Sequence, residues 1–151
     1  MDMSFIDSID WGSMQHAYGE ASNAPAEIAN LLSKDEDKRD DAVYGFLYSS
    51  AYHQGTIYSC TPSVMRCVIH IIRNEGITSL ETIGKPLIQE LLGFLNACAF
   101  TWRFEPDIAS AAFEGRDLYR EYIDHPDRKT SAHAQELLKI CEQYENNQKV
   151  R

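Results

Sequence analysis

From Pro62 to Asn74 the chain reads PSVMRCVIHIIRN, with Val64, Val68 and Ile72 along one line and Met65 and Ile69 along the next. Apolar residues recurring every three or four positions place a stripe on an α-helix, and a stripe this broad belongs to a helix packed on two sides. A chain with such a segment must supply neighbours for both sides.

The flanking sequence supplies them. PAEIANLL groups Ile28, Leu31 and Leu32, with Asn23 as a candidate cap and Pro25 in the first turn. DEDKRDDAVYGFLYSSAYHQ opens with acids that suit the positive end of a helix dipole and continues with Val43, Phe46, Leu47 and Ser50 at helical spacing. In KPLIQELLGFLNACAFTWRF, Leu87, Leu91, Leu95, Cys98 and Trp102 recur, and Pro86 marks an early turn or kink. DIASAAFEGRDLYREYID aligns Ile108, Ala111, Ala112, Leu118, Tyr119, Tyr122 and Ile123. TSAHAQELLKICEQYENN aligns Ala134, Leu137, Leu138, Cys141 and Tyr144.

The pattern predicts an all-α chain of six helices in three consecutive pairs beginning near residues 25, 61 and 105. Residues 1–24 read as a lead-in segment and 146–151 as a polar tail that frays, all within one domain spanning 1–151. Helix pairs recurring about every 40 residues have the period of HEAT and armadillo arrays, which makes a short solenoid of about three antiparallel pairs the favoured architecture. A non-repetitive bundle shares the same periodicities, because the three blocks match in pattern and not in residue identity.

Almost no strand signal interrupts this reading. In YHQGTIYSCTP, residues 52–62, Gly55 sits where a helix commonly ends in the left-handed conformation, and Thr61-Pro62 reads as the cap and first turn of the next helix.

Asp and Glu number 23 against 14 Lys and Arg, a net charge of −9 with the excess in both halves. A field of that sign repels nucleic-acid phosphates and favours a basic protein partner. No apolar run reaches the roughly 18 residues that span a bilayer, and the start, MDMSFIDSIDWGS, is acidic where a secretion signal is basic, so neither membrane nor export is expected. Cys60, Cys67, Cys98 and Cys141 form no CxxC pair and read as reduced core residues of a cytoplasmic protein.

Reactive chemistry has few carriers. A nucleophile needs a base oriented by a third group, and Cys60 with His53 could be imagined that way, but spacing alone supplies no evidence for it. His53, Cys60, Cys67 and His70 make an irregular metal set whose close pair, Cys67 with His70, supplies two of the four ligands zinc needs. A small hydrolase or metal enzyme built on these residues is the minor alternative. The expected chain has no catalytic residues, no metal and no cofactor. No phosphate-cradling glycine loop occurs, and Arg128, Lys129, Lys149 and Arg151 are too few for a nucleic-acid footprint.

A binding surface remains. Tyr44, Tyr48 and Tyr52 fall at i, i+4 and i+8 of the second helix, which opens with Asp35, Glu36, Asp37, Asp40 and Asp41 and ends at His53 and Gln54. Tyrosine offers a flat apolar body with a polar tip, so an acidic turn feeding an aromatic stripe suits a basic protein.

Trp11, the His16–Gly19 segment HAYG and the His53–Tyr58 corner HQGTIY follow one another in the order found in a group of bacterial HEAT-repeat-like proteins, which the first half of the chain resembles. The resemblance implies a small right-handed helical array that binds protein. Some HEAT-like proteins of this size look like immunity proteins, which neutralise a toxin domain. An acidic chain is similar to that type where the toxin is a basic nuclease, and the other expected role is a scaffold or adaptor in a larger cytoplasmic assembly.

Gly55→Val is expected to cost about 1 to 2 kcal/mol, because a branched residue resists positive φ; chemical denaturation reads this directly. Reversing Asp40 and Asp41 to Lys is expected to slow association with a basic partner.

Overall fold

In the computed structural model, which describes residues 1–150, the broad stripe forms α4 (Thr61–Asn74), and it lies between earlier and later helices. Before it come α1 (Ser4–Asp7), the hairpin β1–β2 (Gln15–His16, Gly19–Glu20), α2 (Ala24–Asn30), α3 (Glu36–Asp40), a π-helix (Asp41–Ala51) and the hairpin β3–β4 (Tyr52–His53, Thr56–Ile57). After it come the hairpin β5–β6 (Glu81–Thr82, Lys85–Pro86), α5 (Leu87–Ala99), α6 (Pro106–Phe113), α7 (Arg116–Arg120) and α8 (Arg128–Val150). The protein is mostly helical, as the periodicities require.

The helices pack in two rows. α2 touches α4 and α4 touches α6, while the π-helix touches α5 and α5 touches α8. Across the rows, α2 meets the π-helix, α4 meets α5, and α6 meets α8. The central α4 and α5 therefore bury both flanks. Val64, Met65, Cys67, Val68 and Ile71 are fully buried on α4, and so are Leu87, Leu91, Leu92, Phe94, Leu95 and Cys98 on α5. At about 1.5 to 3 kcal/mol for each large apolar side chain removed from water, these two helices carry a large share of the drive to fold.

Several elements differ from expectation. The corner at 52–57 is a β-hairpin and not a helix end: Tyr52 pairs with Ile57 and His53 with Thr56, around a turn whose central residues, Gln54 and Gly55, have φ of 49° and 88°. Positive φ at both central positions is the type I′ turn that matches strand twist. Gly55 thus keeps the predicted left-handed backbone in a different element. A second turn of this kind, Ile83-Gly84 with φ of 47° and 69°, joins β5 to β6. Two-residue strands leave no alternation in the sequence to detect.

Residues 1–24 are more than a lead-in. Ile6, Ala21 and Ala24 are fully buried, and the buried Trp11 donates its indole N–H to Ile6 O at 2.8 Å. Hairpin β1–β2 is tied to its neighbours by Ala17 N–H donating to Ser50 O (2.9 Å) and Cys60 N–H donating to Gln15 O (3.2 Å). At the other end, α8 stays helical through Val150 where fraying was expected, and Arg151 lies outside the described residues.

The fifth predicted helix divides at Gly115 into α6 and α7. Tyr119 folds its ring back over Gly115 and donates its hydroxyl proton to Ala112 O at 2.7 Å. A Cβ on residue 115 would lie 2.5 Å from that ring, so Gly115→Ala is expected to destabilise the protein by about 1 to 3 kcal/mol, read as a lower urea midpoint at unchanged slope.

Candidate interaction surface

The acidic turn holds the fold. Asp35 caps α3, its carboxylate accepting the Asp37 N–H at 3.0 Å. Arg39, although charged, is only 7% exposed; it donates Nε–H to Glu81 O (3.0 Å) and Nη1–H to Ser33 O (2.6 Å). Asp40 accepts from Thr82 Oγ1–H (2.6 Å) and from Ile83 N–H (3.2 Å) through one oxygen. Together Arg39 and Asp40 clamp the β5–β6 hairpin, some 42 residues away, onto the start of the π-helix.

That clamp sets an unusual residue on show. Ile83 is 59% exposed at φ 47°, a backbone region that a β-branched side chain enters only at a cost. Asp40 lies against it, Glu81 and Lys85 are exposed in the same hairpin, Lys85 pairs with Glu90 at 3.6 Å, and the α3 on which β5 packs exposes Glu36, Asp37 and Lys38. Tyr44 belongs to the same neighbourhood: burial first, then the carboxylates of Glu90 and Asp40, hold its hydroxyl above the ordinary phenol value. The result is an anionic patch with two apolar bodies in it.

The tyrosine stripe does not continue from there. Tyr44 and Tyr48 stack at 6.2 Å between centroids, but Tyr48 turns inward, packs edge-on against Phe94 at 6.0 Å and donates its hydroxyl proton to Glu90 O at 3.1 Å. Burial and the Glu90 carboxylate push its pKa far up. Gly93 makes room for it, since a Cβ there would stand 3.0 Å from the Tyr48 hydroxyl and 3.1 Å from His133 Nε2. Tyr52, His53 and Gln54 lie beyond the far end of the π-helix, in the β3–β4 hairpin, where His53 meets the ring of Tyr18 at 6.1 Å. The ten residues read as one strip are therefore divided between the two ends of that helix. The physical reason is that the chain winds with the wider π spacing from Asp41 and leaves the helix at Tyr52.

A second surface feature lies at the other end of α5. Phe100 and Phe104 are each 86% exposed and flank a cleft of about 520 Å³ between the end of α5 and α8. Trp102 forms part of it, with the Arg103 guanidinium 5.1 Å from its ring centre. Sequence reading passed over both Ile83 and these phenylalanines. The available signals were a bulky residue before glycine in TIGK, and two aromatic residues that fall off the heptad-like line of Leu87, Leu91 and Leu95.

The residues weighed for chemistry take ordinary places. Cys67 is buried in the core, whereas His70 three positions on lies flat against Phe5 at 4.8 Å, so the two diverge. His16 Nδ1 accepts the Tyr18 N–H (3.0 Å) and its Nε2 meets Asn23 Oδ1 (2.9 Å), which occupies the side chain expected to cap α2. All four thiols are buried, and burial raises Cys60 to about 11 and Cys67 and Cys141 to about 12 from an ordinary 9.0. Among the described residues no three His, Cys, Asp or Glu side chains group as metal ligands, and no helix is long and apolar enough to cross a membrane. Compared with protein-family models, curated proteins and solved structures, the chain matches none.

Two outcomes follow from this geometry. Asp40→Ala removes an acceptor for two hydrogen bonds and is expected to lower stability by about 2 kcal/mol, so reversing Asp40 tests folding and binding together. The raised thiols keep their protons in the folded state while the unfolded chain loses them. Their stabilising contribution is whole below pH 9.0 and drains away as pH rises through 11 to 12, a decline that urea titrations across this range report.

Proposed function

We propose that this chain is a non-catalytic protein-binding domain, a short right-handed HEAT-like array of three helix pairs whose partner is cationic. The observation that carries the reading is the clamp of Arg39 and Asp40, which holds a strained, exposed Ile83 amid carboxylates at the head of the π-helix. A soluble surface gains nothing from an isoleucine in left-handed backbone, where asparagine or glycine sits without strain. An apolar anchor ringed by charge is the arrangement expected of an interface centre.

The two-row packing supports the array, since each helix pair meets the next in both rows. The net charge of −9 supports a basic partner, because complementary fields raise the association rate. The segments around Trp11, His16–Gly19 and His53–Tyr58 resemble bacterial HEAT-repeat-like proteins, and since some HEAT-like proteins of this size look like immunity proteins, the concrete form of the proposal is an immunity-type inhibitor of a basic, nuclease-like toxin domain. Scaffolding in a larger assembly would use the same patch constitutively, and one-to-one pairing with a toxin separates the two.

Co-expression with the product of the neighbouring reading frame tests the proposal: the expected result is a one-to-one complex and protection from killing, and unchanged killing on deletion of this chain would refute it. Ile83→Gly gives a sharper test on the purified complex. Relief of positive φ is expected to stabilise the free protein by about 1 kcal/mol, while loss of the anchor weakens binding about tenfold or more. Asp37→Lys with Asp41→Lys, both exposed, is expected to slow association without altering the helical spectrum.

A further inference from the structure

We infer that the chain also pairs with a second copy of itself, through the cleft that Phe100 and Phe104 flank. The observation is one of exposure. Both rings stand 86% in water, on the order of 300 Å² of aromatic surface at one place, as much as the largest apolar patch of an ordinary monomer. A stable interface buries about 800 Å² on each side, so the two rings supply a third or more, with the cleft walls and the adjoining side of α8 to supply the rest.

One wall is held from behind. Trp102 lies edge-on to Tyr144 at 6.5 Å on its side away from the cleft, and Arg103 covers the Trp102 ring, so this wall has little order to lose on docking.

Charge selects the occupant. Over most of the surface a second molecule of charge −9 is repelled, but the charged residues lining this cleft are Arg103, Lys139 and Glu136, two basic and one acidic. Within the cleft a copy of the same acidic chain meets two basic groups against one acidic, and a cationic partner has no reason to prefer the cleft to the anionic patch. Both signs on one patch also meet the requirement of a two-fold contact, in which the surface must complement itself. The cleft and the Ile83 patch sit at opposite ends of α5, 13 residues or about 20 Å apart, so pairing leaves the proposed partner surface open.

Sedimentation velocity on the purified chain, from micromolar to near-millimolar concentration, decides the matter. The expected result is a reversible monomer–dimer equilibrium that persists or strengthens as salt screens the net repulsion. Phe100→Asp with Phe104→Asp, both at exposed positions, is expected to leave the helical spectrum unchanged and shift the midpoint of dimerisation at least a hundredfold. A wild-type chain that stays monomeric throughout overturns the inference. So does a dimer that survives the double substitution, or one that salt dissolves. None of these outcomes bears on the cationic partner, which engages the other end of α5.

Discussion

A helix that is apolar on two sides has to be sandwiched, and both α4 and α5 are of this kind. Every other element is placed by that demand. α2 and the π-helix cover one flank of the pair and α6 and α8 the other, so the fold reads as a middle layer with a lid on each side. The first 24 residues join the lid, because Ile6 and Trp11 add apolar surface that the short α2 lacks. The same demand explains why all four cysteines are inside: each sits where a small apolar group fills space between helices, and burial then suppresses the thiolate.

Tight turns give the layers their register. Three two-residue hairpins interrupt the helical chain, and none would hold by itself in water. Two are tied down by what lies beside them: β1–β2 by the backbone of Ser50 and Cys60, and β5–β6 by Arg39 and Asp40. Here stability and display are one arrangement. The carboxylate that docks the β5–β6 hairpin is also what presents Ile83, so a residue strained in isolation is held by the rest of the molecule. Strain retained at an exposed position is informative, because ordinary selection for stability removes it at little structural expense.

The two ends of α5 divide the surface by charge. Near its start, Asp40 of α3, Glu81 of β5 and Glu90 of α5 itself lie beside Ile83 or Tyr44. Near its end, Arg103 and Lys139 outnumber Glu136 in the cleft that Phe100 and Phe104 flank. A single helix thus separates the face proposed for a cationic partner from the one proposed for a second copy of the chain. Both readings rest on exposed apolar groups, and they differ in the field around them.

By itself the sequence determined the helical class, the burial of α4 and α5, the left-handed backbone at Gly55 and the overall sign of the charge. Each is legible because periodicity, glycine and formal charge act locally or add up along the chain. Tertiary structure alone decided that Asp40 serves the fold, that Tyr48 faces inward, that Tyr52 to Gln54 belong to a hairpin, and that Ile83 stands beside the acidic turn. Those facts depend on contacts between residues some 40 positions apart and on π winding, for which a linear pattern carries no signal. The phenylalanines of the cleft were visible as residues off the apolar line, but only the packing of α5 against α8 shows that nothing in the folded chain covers them.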